Sequence, residues 1–125
     1  MTINWQSGIP AYDQIVQGFI KLRALGAMAP DEKLPSVRVM ANNLGVNPNT
    51  VQKAYLILEE KGIIYSVAGK GSFISGSDRG TKAVFEAAKS SLEKAVTEAL
   101  SLGLTKEDIT EILNIICQKG GTKND

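Results

Sequence analysis

One stretch, LPSVRVMANNLGVNPNTVQKAYLILEEKGIIYSVAGKGSFIS from Leu34 to Ser75, constrains the fold more than any other part of the chain. Ser36 follows Pro35 and precedes an apolar-periodic run, the position of a helix N-cap. The run carries Val37, Met40, Ala41 and Leu44 and stops at Gly45, which tolerates the left-handed backbone of a helix C-terminus. The next start follows two residues later. Asn47 can cap, and Pro48 fits the first helical position, where the missing N–H costs nothing. This second helix is expected to reach about Lys61, with Gly62 as its stop. Ile63–Val67 is short and partly β-branched, Ala68-Gly69-Lys70-Gly71 is a glycine turn, and Ser72–Ser75 returns as the second strand of a hairpin. A short helix, a tight turn, a longer helix and a two-stranded hairpin make the pattern of a winged helix-turn-helix.

The flanks fit around that unit. Residues 1–8 form a polar arm. From Pro10 to about Leu25 the apolar positions Tyr12, Ile15, Val16, Phe19, Ile20 and Leu22 fall near helical spacing, and Gly26 is the stop. Residues 26–35 are expected to be a loop containing Pro30 and Pro35. Residues 76–81 have the composition of a linker. Beyond it the pattern predicts a helix from about Lys82 to Leu102 and another after Gly103, where Thr105 and Asp108 have capping-box spacing. Gly120-Gly121 should end the last helix, and the final residues should fray. The expected fold class is α+β, mostly α. A DNA-binding type of domain fills 1–75, a linker 76–81, and a two-helix dimerisation tail 82–125.

The tail earns that role from its apolar pattern. Ile109, Ile112, Leu113 and Ile116 form a stripe that one helix cannot bury alone. The preceding helix offers Ala95, Val96 and Ala99, whose small side chains permit close approach. Two such helix pairs, from two copies of the chain, can bury one another.

Composition excludes whole classes of chemistry. The chain has 125 residues, 43% hydrophobic and only 6% aromatic, enough for an aliphatic core. It has no histidine and a single cysteine, Cys117. No intrachain disulfide is available, no Cys/His metal set, and not the commonest general base. The reading is therefore of a protein that is not an enzyme and needs no cofactor or metal. No apolar run approaches the ~18 residues of a membrane span, and MTINWQSG lacks a signal pattern. The expectation is a cytoplasmic protein with no membrane partner. Net charge is +1 overall. Residues 33–71 set Lys33, Arg38, Lys53, Lys61 and Lys70 against Glu59 and Glu60, a net of +3, so the basic excess lies in the winged unit.

Within the Pro48–Lys61 helix, Val51, Ala54, Tyr55 and Leu58 share one side at ~100° per residue, and Asn49, Gln52 and Lys53 lie roughly opposite with Thr50 on the flank. Polar side chains clustered in the first two turns suit a helix end inserted into the DNA major groove. Asn and Gln can bond adenine through N6 and N7, and Thr can meet a phosphate or a thymine methyl. The plain alternative is a solvated polar face. Arg38 sits one turn into the preceding helix, which in such folds crosses the phosphate backbone; the alternative is an ion pair with Asp31 or Glu32. Lys70 stands between two glycines that let the backbone approach DNA. A nucleotide-binding loop is rejected, because that motif needs four residues between its glycines and Ser or Thr after the lysine, whereas Gly71 follows Lys70.

The pieces IPAYDQI, LPSVR, LGVNPNTVQKAY, LEEKGII and GKGSFI, in this order from Ile9 to about Ser75, resemble the GntR family of bacterial transcription regulators. The NPNT form and short tail resemble its YtrA-type subfamily. The resemblance implies a homodimer that binds a palindromic double-stranded DNA operator as a repressor, with the two C-terminal helices used for dimerisation. It places DNA contacts at Ser36 and Arg38, at Asn47, Asn49, Thr50 and Gln52, and in the wing at Gly69, Lys70 and Gly71; Lys53 joins them from its place on the polar face. Two departures stand out. Asp31 follows Pro30 where the family often has glycine, and Gln52 stands where many relatives have a basic residue. The rival readings are a metabolite-sensing regulator, with an unidentified small-molecule effector at the wing–tail junction or dimer interface, and a winged helix used for protein contact.

Overall fold

A computed structural model describes residues 1–121. The elements in chain order are α1 (Ala11–Ala24), α2 (Val37–Leu44), α3 (Pro48–Glu60), β1 (Ile64–Val67), β2 (Gly71–Ile74), α4 (Asp78–Ser101) and α5 (Lys106–Gly121). The fold is α+β, mostly α, and α1 to β2 form a winged helix-turn-helix. The chain divides into two compact units, Met1–Glu86 and Ala87–Asp125.

The first unit is built on the apolar periodicity of its three helices. Ile15, Val16, Phe19 and Ile20 of α1 meet Met40 and Ala41 of α2 and Val51, Ala54, Tyr55 and Leu58 of α3 in a core closed by Leu34, Ile63, Ile64 and Ile74. Each large side chain buried here stabilises the fold by about 1.5–3 kcal/mol. Phe19 and Tyr55 meet edge to face, with ring centroids 5.8 Å apart. The Tyr55 hydroxyl donates to the Pro35 carbonyl oxygen at 2.7 Å, which pins the Leu34-Pro35-Ser36 segment to α3.

The wing is an antiparallel hairpin in which Ile64 pairs Ile74 and Val67 pairs Gly71. Its outer edge is not bare. The Asp31 N–H donates to the Ile74 carbonyl, Ile74 N–H to Glu32, and Leu34 N–H to Ser72, and Lys33 bridges Phe73. Within the expected 26–35 loop, the chain turns at Asp31, whose φ is 70°, and residues 32–34 then lie along β2.

The segment 76–81 departs from the linker suggested by its composition. Helix α4 begins at Asp78. The Ser77 hydroxyl accepts from the Gly80 N–H at 3.1 Å, so serine acts as the cap. Gly80 is buried. Its small size serves a close approach, not flexibility.

In the second unit α4 runs on to Ser101, and α5 follows the turn at Gly103. The capping box forms as expected: the Asp108 N–H donates to Thr105 Oγ1 and the Thr105 N–H to Asp108 Oδ2. The Thr105 N–H bond to Oδ2 is the main cause that holds the Asp108 carboxyl below its usual range, with the Thr105 side chain adding to it. The expected fraying concerns residues 122–125, which lie outside the described residues. No helix among the described residues is long and apolar enough to cross a membrane.

Candidate nucleic-acid interface

Local capping positions the two helices of the motif. Ser36 lies in extended backbone and its hydroxyl accepts from the Val39 N–H at 3.2 Å. At the other end of α2, Gly45 takes a left-handed φ of 70° and returns its N–H to Ala41. Asn47 then starts α3, its side-chain oxygen accepting from the Asn49 N–H at 2.8 Å, with Pro48 at the first helical position. Ser36 and Asn47 thus spend a side-chain oxygen on holding the helix ends. The Asn47 amide NH2 remains available to an acceptor.

The first two turns of α3 present a polar strip. Asn49, Gln52 and Lys53 are exposed and Thr50 is half-buried, while Val51, Ala54 and Tyr55 face the core. The Lys53 ammonium lies 3.8 Å from the centroid of the Tyr12 ring, so the lysine is held over α1 at the side of the strip. Burial pushes the Tyr55 hydroxyl up to about 12, so it stays a donor to Pro35 at any ordinary pH.

Arg38 is exposed on α2. The two acids that were its alternative partners are engaged elsewhere. Asp31 Oδ1 accepts from the Tyr65 hydroxyl at 2.7 Å and Glu32 Oε1 from the Ala29 N–H at 3.1 Å. The same bond to Asp31 is the main reason the Tyr65 hydroxyl titrates above its usual value.

At the wing tip Gly69, Lys70 and Gly71 are all exposed. The turn closes through the Lys70 N–H to the Val67 carbonyl at 2.9 Å, with φ of 75° at Gly69 and 114° at Gly71. Both glycines occupy conformations that side chains disfavour. Tyr65 and Phe73 stack with centroids 5.4 Å apart and stiffen the hairpin behind the tip.

Lys33 was not singled out by the sequence pattern, and the structure adds it to the wing. A Cβ built on Gly71 would sit 2.9 Å from Lys33 Cε and 3.7 Å from its Nζ. A second ammonium therefore lies beside the turn that carries Lys70. The only signal in the sequence was its charge, because its pairing with β2 joins residues 40 apart.

The candidate dimerisation residues stay largely open within the second unit. Ala95, Ile112, Leu113 and Ile116 are exposed, and Val96, Ala99 and Ile109 are half-buried. Among the described residues no cluster of three or more His, Cys, Asp or Glu side chains is placed to hold a metal.

The family of bacterial regulatory proteins named gntR matches residues 11–74, the whole run from α1 to the end of the wing. This chain belongs to the GntR family. It is 39% identical over 127 residues to the HTH-type transcriptional repressor YtrA of Bacillus subtilis (strain 168), covering 98% of each chain, so the likeness includes the tail and the chain is of the YtrA type. Among solved structures it is similar to a GntR family transcriptional regulator from Listeria monocytogenes, with a TM-score of 0.78 and 35% identity over 88% of this chain and 97% of that one. The AraR DNA-binding domain, solved in complex with operator ORX1, matches with a TM-score of 0.56 and 26% identity over 60% of this chain and 95% of that domain.

Proposed function

We propose that this GntR-family chain is a sequence-specific, DNA-binding transcriptional repressor that meets a roughly palindromic operator as a cytoplasmic homodimer. One observation carries the reading: the polar start of α3 is held exposed by the Asn47 cap in the same unit as a glycine-lysine wing. In this reading Asn49 and Gln52 face base edges, with Thr50 beside them. Arg38, Lys33, Lys53 and Lys70 neutralise phosphates, the exposed Gly69 and Gly71 backbone lets the wing lie close, and Ser36 and Asn47 set the helix ends. Supporting it are the YtrA of Bacillus subtilis, which is a repressor by name, and the AraR domain bound to its operator. The open apolar residues of α4 and α5 are what a second copy would cover. No covalent chemistry is required of the chain.

Selection of bound duplexes from a random pool tests this directly. The expected product is two half-sites in inverted order at one fixed spacing, bound with strong salt dependence. Recovery of no sequence preference above non-specific binding would refute it.

A further inference from the structure

The exit from the wing into α4 is bound more tightly than any linker needs. Arg23, at the end of α1, donates from Nε to the Ser75 carbonyl at 2.7 Å and from Nη2 to the Ser77 carbonyl at 3.1 Å. Its guanidinium also reaches Thr81 Oγ1, at 3.4 Å from Nη2. The Ser77 hydroxyl donates to the Gly62 carbonyl at 3.2 Å while capping α4, and Arg79 Nη2 donates to the Glu59 carbonyl at 2.8 Å. Gly80 packs against Gly62 with no space to spare: a Cβ there would overlap the Gly62 carbonyl oxygen and lie 2.8 Å from Arg23 Nη2. The first turn of α4 is thus fastened to the last turns of α1 and α3 and to the end of β2. From that point α4 continues to Ser101.

We infer that Arg23, Gly62 and Gly80 form a latch that fixes the direction in which α4 leaves the winged helix, and that this latch, without touching DNA, determines which operator half-site spacing the protein selects. The inference rests on dimerisation through the tail as proposed above. A free six-residue linker would have an r.m.s. span of about 12–15 Å, or about four base pairs at 3.4 Å each. Two winged helices joined through such tethers would accept a range of spacings. A helix clamped at its first turn removes that freedom, so the spread of accepted spacings should narrow to about one base pair.

The test uses the full-length protein and the operator recovered by selection. Duplexes carry its half-sites moved apart or together in single base-pair steps, beside a duplex with one half-site. The wild type should prefer one spacing by roughly tenfold or more over its neighbours. Arg23→Met keeps the length and loses every donor. It should flatten that profile to within about threefold while leaving single half-site affinity unchanged. Arg23→Lys keeps the charge without the planar fork and should fall between. Gly80→Ala should flatten the profile too; where it fails to fold, the Arg23 pair decides. A folded Arg23→Met protein with the wild-type profile overturns the latch. Sedimentation of the wild type separates the two readings: a monomer on DNA with a flat profile overturns the dimer as well, whereas a dimer with a sharp profile that survives Arg23→Met overturns the latch alone.

Discussion

Arg38 shows how much a single exposed side chain can be asked to reveal. It lies two positions after the Ser36 cap, and the acids that might have held it are bonded to Tyr65 and Ala29 instead. Arg38→Ala should leave the melting temperature close to wild type and weaken operator binding. Arg38→Lys then divides the roles: near-complete rescue means a point charge on phosphate, and poor rescue means a bidentate contact. A melting temperature that collapses with operator affinity intact would make the residue structural. Lys70 and Asn49 should fail in different ways. Lys70→Ala should weaken binding to operator and scrambled duplex alike and reduce the salt slope by about one. Asn49→Ala removes no charge and should cost about 1–3 kcal/mol on operator and little on scrambled DNA. Equal losses on both duplexes would remove Asn49 from the base readers. The sequence placed these residues on their faces because helical periodicity and a glycine turn are local signals. It was silent on Arg23 and Lys33, whose partners are distant in the chain; the Arg23 bond to Ser75 spans 52 positions.

Elements were legible where their ends carry caps. Ser36, Gly45 and Asn47 with Pro48 set α2 and α3 within a residue of expectation, and Thr105 with Asp108 set the start of α5. The start of α4 was hidden because Ser-Gly-Ser-Asp-Arg-Gly is ambiguous. Serine and glycine are linker residues until something distant makes one a cap and the other a contact point, as the Gly62 carbonyl does here. The 31–34 segment was hidden in the same way, since its ladder is formed with β2 and nothing local announces it. The cap on α2 gives a prediction at this scale. Ser36→Ala frees the Val39 N–H and should lower stability by about 1 kcal/mol. Operator affinity should fall modestly after correction for folded fraction, because Tyr55 still holds Pro35 in place. Chemical denaturation beside a binding titration measures both. An unchanged denaturation midpoint would mean that the cap contributes nothing to α2.

At the scale of the whole molecule the question is where the DNA-binding part ends. Its core closes at Ile74, yet its hydrogen bonds do not, because Ser77, Arg79 and Thr81 still bind Gly62, Glu59 and Arg23. A chain ending at Ser75 loses those bonds and leaves carbonyls of Glu59 and Gly62 without these donors. At about 1 kcal/mol net per bond, and about 4–8 °C per kcal/mol for a domain of this size, it should melt many degrees below a chain ending at Glu86. The 1–86 chain should fold, bind a single half-site as the full protein does, and lose the gain from binding two half-sites at once, roughly a hundredfold or more on the operator. Leu92 at 59% exposure and Ile116 at 60% belong to the part removed, and a lone chain would leave them in water. Sedimentation should therefore find the full chain dimeric, as proposed, and 1–86 monomeric. A 1–86 chain that still sediments as a dimer would move the dimer contact into the winged helix, and equal melting of the two truncations would show that the bonds of residues 77–81 add no stability.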